Sequence, residues 1–411
     1  MNRAARIGIV VVSVVIFCYA GLGHVLGRAT DDKAYKSLTV YGEVLQKIQQ
    51  DYVDDPNMHT VTAGSLHGLL ESLDPQSSYL TPREYDEYKK KLQNSGTGET
   101  GLTLSKRFGY VIVLSVLPDS PGTKAGIRSG DIFESIGGFT TRDMSVGQAL
   151  NLLSGQPGTG IKVAVIRRGK ATPDEVDLVR EKLATPKIIV QKADPDILVL
   201  RLPSLDAGRA DEVRNRLLDA EKQGVRKVIV DLRECGRGPV SEAISLARLF
   251  VPSGTISTLR GQTVSAQVFS AEPKQVVWRN TVSVLIDATT SGAAEVFASA
   301  IVANHRGDVV GERTFGLASE QKLITMDDGA ALILTVANYY NPGGKSILEE
   351  GITPTEIVRA VPEDSDSGDD DAAPAQETQK EPGLGPRPLS PEDPIFHRAL
   401  DLLKTPVKKA A

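Results

Sequence analysis

The 411-residue chain has only two cysteines, Cys18 and Cys235. One lies in the N-terminal apolar stretch and the other far along the second half. No disulfide framework is expected, and the core must hold itself together. Basic residues form no stripe; the net charge is −5, with acidic residues concentrated toward the C-terminal region. This excludes the electrostatic footprint of a nucleic-acid-binding protein. No cluster of His, Cys, Asp and Glu has metal-ligand spacing, and no cofactor is called for. A small-residue A-x-A cleavage box is also missing after the first apolar run. The apolar and charged fractions, 40% and 24%, are those of an ordinary globular protein. The length exceeds what one hydrophobic core fills, so two or more domains are expected.

Arg3 and Arg6 precede an apolar run from Ile7 to Leu26, close to the roughly 20 residues that span a bilayer as helix. Positive charge before the run places the N-terminus in the cytoplasm and the body outside. An uncleaved single-pass anchor over residues 1–29, with an extracytoplasmic (periplasmic) body, is therefore preferred to a cleaved signal peptide. Cys18 lacks the small residues that a lipoprotein cleavage site wants.

A helical segment is expected over 30–95, where Val40, Val44, Leu45, Ile48 and Tyr52 recur at helical spacing. Thr81 and Pro82 open its third helix as N-cap and first position. Over 96–185 the pattern turns to short strands and glycine turns, with one helix over Ser145–Leu153 that directs Val146, Ala149, Leu150 and Leu153 inward. Residues 186–360 alternate strand and helix, which argues for a mostly parallel sheet with helices packed on it. Sites in such sheets form at the carboxyl ends of strands. An acidic segment rich in Pro, Gly and Ser, 361–391, reads as disordered linker. Ile395, Leu400, Leu402 and Leu403 then make a short amphipathic helix within 392–411, followed by Lys404, Lys408 and Lys409 at a solvated end.

Several ordered blocks carry a family resemblance. They are L-D-P-Q-S-S-Y-L (Leu73–Leu80), S-P-G-T-K-A-G-I-R-S-G-D-I (Ser120–Ile132), V-I-V-D-L-R (Val228–Arg233), V-V-G-E-R-T-F-G (Val309–Gly316) and the run Thr335–Pro354. In this order they resemble the carboxyl-terminal processing peptidases, the tail-specific serine peptidases of the S41 type. The resemblance spans roughly Tyr35 to Val358 and the last helix. It implies a multidomain α/β fold: N-terminal helices, a PDZ-like β-rich domain and an S41 peptidase-like core. It also implies that Gly101, Leu102, Thr103 and Leu104 form a carboxylate-binding loop whose backbone amides receive a polypeptide C-terminus. The helix Ser145–Leu153 then walls the groove, with Gln148 or Leu152 facing the peptide.

Residue by residue, the chemistry departs from the family. An active member needs a serine nucleophile, a neutral lysine base and backbone oxyanion donors. The family's S-A-S-A-S-E, set on Glu295, puts Gly292 at the nucleophile, with Ser291 one residue early. The family's F-G-K-G-x-x-Q is here F-G-L-A-S-E-Q, so Leu317 stands at the base and Gln321 at the glutamine that positions it. Lys322 lies nearby, but an odd number of residues along a strand puts it on the opposite face. The oxyanion block D-L-R-N-N-P-G-G becomes D-L-R-E-C-G-R-G, with Arg237 in place of a glycine beside Gly238. Cys235 reads as a packing residue, because no histidine is placed to activate it; His305 reads as a surface residue. The expectation is a pseudopeptidase that binds polypeptide C-termini or unfolded protein, with an active peptidase or a second copy of itself as partner. The alternatives are an active serine endopeptidase using Ser291, with Lys322 as base, and a purely structural protein that oligomerises through its N-terminal helices.

Overall fold

A computed structural model describes residues 36–93, 96–167, 170, 172–359 and 393–404. The expected anchor, Cys18, the acidic linker and Lys408 and Lys409 lie outside these residues. Among the described residues no helix is long and apolar enough to cross a membrane. The chain divides after Ser65 into two units. In the first, a helix over 36–51 leaves Leu38, Val40, Tyr41 and Val44 exposed. Asn57 then caps the helix Met58–Glu71 by accepting from the amides of His59 and Thr60.

The second unit is built on three sheets. The β-rich domain is an antiparallel sheet in the order Leu102–Arg107, Tyr110–Val116, Ile132–Ile136, Gly160–Ile166, Asp174–Val179, with Phe139–Thr140 beside Ile132–Ile136. Inward residues alternate along these strands and close one core with Val146, Ala149 and Leu153 of the helix Val146–Leu153. That helix begins with a capping box, Ser145 and Gln148 each bonding the other's backbone amide. Leu150 does not turn inward as its apolar character suggests; it is 44% exposed.

A six-stranded sheet forms the larger core. Its order is Glu356–Ile357, Asp308–Gly311, Thr281–Ile286, Lys227–Asp231, Ile197–Arg201, Ile189–Asp194. All pairs are parallel except the last, and the central strands are apolar runs buried on both faces, as parallel sheets require. Helices Val240–Arg248 and Ala293–Ala303 help to cover one face. The C-terminal helix Pro394–Lys404 covers the other, burying Ile395, Phe396, Ala399 and Leu403 against Ile197, Ile229, Leu285 and Val310. Each large side chain buried this way stabilises by about 1.5–3 kcal/mol. Leu400 and Leu402 pack only at its margin. The helix is also held at its start: Arg233 donates to Asp231 at 2.8 Å and to Asp393 at 2.5 Å.

The third sheet joins distant parts of the chain. Ser78–Leu80 pairs with Ala331–Tyr340, which in turn pairs with Thr255–Arg260 and with its hairpin partner Ser319–Thr325. The β-rich domain is thus inserted between two segments that meet in one sheet. Next to Ser78–Leu80, the helix Pro82–Gln93 starts as the sequence predicts, with Thr81 and Glu84 bonded to each other and Pro82 first.

Candidate active site and peptide groove

The buried strand Thr281–Ile286 runs into a tight turn, Asp287–Gly292, and then into the helix Ala293–Ala303. Asp287 shapes the turn by accepting from the amides of Thr289 and Thr290 at 3.0 and 2.8 Å. The turn ends at Gly292 with φ 63° and ψ −122°, a region that residues with a Cβ rarely enter. This strained strand-to-helix turn is the geometry that exposes a nucleophile at the end of a sheet. A Cβ built on Gly292 would meet nothing within 4 Å. The place for a side chain is therefore present, and no side chain fills it.

Glu295, three residues on, is fully buried and gathers four donors. Gly292 N and Leu317 N lie 2.7 and 2.8 Å from its Oε2; Thr314 Oγ1 and Gly316 N lie 2.6 Å from its Oε1. Burial pushes its pKa up to about 7, against the pull of these donors. Because the amides of Gly292 and Leu317 share one oxygen, the two positions aligned with the nucleophile and the base are neighbours in space. What the fold brings together is a glycine hydrogen and the buried isobutyl group of Leu317. Neither exchanges a proton.

The remaining candidates are placed elsewhere. Ser291 is 1% exposed, and among the described residues its Oγ has no hydrogen-bond partner. Lys322 is exposed on the hairpin strand Ser319–Thr325. Gln321 is exposed too, its Nε2 donating to Ser319 Oγ at 2.8 Å. Cys235 is fully buried, and burial pushes its thiol up to about 12, which suits packing and not nucleophilic attack. His305 is a surface residue.

The loop that follows Asp231 lies beneath the β-rich domain. A Cβ on Gly236 would fall 2.7 Å from Ser291 Oγ, 3.0 Å from Ser115 Oγ and 3.2 Å from Thr103 Cγ2. Thr103 and Ser115 are opposed in register on adjacent strands of that sheet, so the face they share is packed on the loop. Arg237, which stands in place of a glycine of the oxyanion block, turns toward the β-rich domain: its Nη1 donates to Glu99 at 2.7 Å and its Nε lies 3.6 Å from Asp206. Gly238 packs against Leu205, whose backbone oxygen is 2.2 Å from where a Cβ would stand.

A groove of about 470 Å³ opens between the β-rich domain and the helix Pro82–Gln93. Gly101, in the positive-φ conformation, and Leu102 line one side of it. The strand Leu102–Arg107 is an edge strand. Gly147, Leu150, Asn151 and Ser154, spaced as one helical face, line the other side. The helix Pro82–Gln93 closes it with Tyr88, Lys91 and Leu92. Four of the sequence candidates face other ways. Leu104 is buried in the domain core, and Thr103 faces the loop at Gly236. Gln148 points to the helix Pro82–Gln93 and donates to Glu84 at 2.7 Å, with His67 3.3 Å away. Leu152 packs against the core. The helical period explains the shift: the groove face runs through 147, 150, 151 and 154, and 148 lies roughly 100° from 147. Nothing in the sequence pointed to Lys91, whose helix reads locally as an ordinary charged surface helix.

Residues 196–358 match peptidase family S41, and residues 112–167 match a PDZ domain. The carboxy-terminal-processing protease of Bartonella bacilliformis is 28% identical to this chain over 336 residues, which cover 80% of the chain and 76% of that protein. The carboxy-terminal processing protease CtpA of Bacillus subtilis is 27% identical, covering 84% and 74% respectively. The solved structure of a photosystem II D1 C-terminal processing protease superposes with a TM-score of 0.65 at 22% identity, covering 78% of this chain and 92% of the other. At that identity it shares the fold.

Proposed function

We propose that this chain, whose residues 196–358 match peptidase family S41 and whose residues 112–167 match a PDZ domain, captures polypeptide C-termini without cutting them. The observation that carries this reading is the pair Gly292 and Leu317, adjacent on Glu295 at the positions of nucleophile and base. Covalent catalysis needs a hydroxyl activated by a base; removing either from a well-studied serine protease costs about 10⁶ in rate. Ser291 offers no substitute, being sealed under the PDZ sheet with its hydroxyl turned to the Gly236 loop. The groove supports the binding half of the proposal. An extended peptide adds to the edge strand Leu102–Arg107, its terminal carboxylate meets the amides after Gly101, and its last side chain lies among Leu102, Leu150, Leu153 and Ile333. Arg3 and Arg6 before the apolar run support a body held outside the cytoplasmic membrane, where an active peptidase or a second copy would be its partner.

The test is to incubate the full chain with a denatured protein substrate and a fluorophosphonate probe. The expected outcome is intact substrate by mass spectrometry and no labelled protein. Cleavage that disappears on Ser291→Ala would mean that a working enzyme has been taken for a silent one.

A further inference from the structure

Resting on that reading of the groove, we infer that Lys91, on a helix outside the PDZ sheet, is the charge partner of the bound C-terminal carboxylate. Lys91 lines the same groove as Gly101 and Leu102. Its ammonium donates to Asn151 twice, to the backbone oxygen at 2.5 Å and to Oδ1 at 2.6 Å. An ammonium has three N–H donors, so one remains beyond these two. Among the described residues it forms no ion pair, and burial in the groove lowers its pKa, with Glu87 opposing and Arg180 adding. A half-buried cation without a counter-ion, set among Leu92, Leu102 and Leu150, is stabilised by an arriving anion. The groove's own carboxylate, Glu99, is engaged by Arg237 at 2.7 Å, which offsets the repulsion it would exert on a ligand carboxylate. Gly101, Leu102 and the Lys91 ammonium thus line one apolar groove, where a free C-terminus would satisfy the charge.

The competing role for Lys91 is structural, since its bonds to Asn151 secure the last turn of the helix Val146–Leu153. A labelled peptide ending in leucine, prepared as free acid and as amide, separates the two by fluorescence anisotropy on the full chain. The wild type is expected to favour the acid by about tenfold, the size of a charge-assisted hydrogen bond. Lys91→Met should weaken the acid by about tenfold and leave the amide within about twofold. Lys91→Gln, which keeps a donor for Asn151 but no charge, should behave like Lys91→Met, and Lys91→Arg should restore the preference. Equal weakening of acid and amide, or an acid preference that survives both neutral variants, overturns the inference about Lys91. A wild type that binds neither peptide, or both equally, overturns the reading of the groove itself.

Discussion

Gly292 occupies a backbone region that costs a residue with a Cβ about 1–3 kcal/mol. Glycine, having no Cβ, takes up this conformation without that cost. Gly292→Ser is therefore expected to lower the unfolding free energy by about 1–3 kcal/mol in a denaturant titration. The space around the position is open, so backbone strain and not collision sets the cost. Unchanged stability would show that the turn relaxes. The variant should also hydrolyse nothing, because Leu317 supplies no base. Adding Leu317→Lys places an ammonium in a site only 8% exposed, beside the Glu295 carboxylate that already has four donors.

At the scale of elements, the C-terminal helix Pro394–Lys404 is pinned by a buried ion pair as well as by apolar contact. Burial disfavours the charge on Asp231, but Arg233 more than compensates and holds its carboxyl below the ordinary range, with Arg201 adding to the effect. A carboxylate whose folded pKa is depressed stabilises above its unfolded value, about 3.9, and that contribution is lost as pH falls through the lower folded value. Hydrogen exchange in Pro394–Lys404 should stay slow at pH 5 and accelerate only below about pH 4. Acceleration already at pH 6 would assign control to another group. Much of this layer was legible in the sequence. The buried strands Lys227–Asp231 and Thr281–Ile286 are unbroken apolar runs, and the amphipathic last helix and the capped helix at Pro82 carry local signals. That Gly292 and Leu317 come together on Glu295 follows from the turn and the strand around them. What sequence could not supply is tertiary facing. Leu150 looks like a core residue and lies in the groove. Gln148 looks like a groove residue and bonds Glu84. Lys91 becomes part of the groove only because Ser78–Leu80, just before its helix, pairs with Ala331–Tyr340. Each depends on which surface arrives opposite, which no local period encodes.

Across the whole second unit, the PDZ sheet rests on the candidate site through Thr103, Ser115 and the Arg237–Glu99 pair. That pair is more than a third exposed on both sides, so its direct worth is small, about 0–1 kcal/mol. Its larger effect is on the groove, where it neutralises Glu99. Arg237→Ala is expected to weaken binding of a free-acid peptide several-fold, with the loss shrinking at high salt, while thermal stability barely moves; salt-independent weakening would point to a packing role. The mixed sheet has a further consequence, which concerns time. Its strand Ser78–Leu80 finds a partner only at Ala331–Tyr340, after the PDZ domain and most of the parallel sheet have been made. The PDZ domain closes its own core from neighbouring strands, so low contact order favours its forming early. During synthesis, the segment ahead of it waits as an unpaired edge until almost the whole body has emerged. That is the interval in which this chain is most exposed to mispairing, and it is set by where one domain was inserted into another.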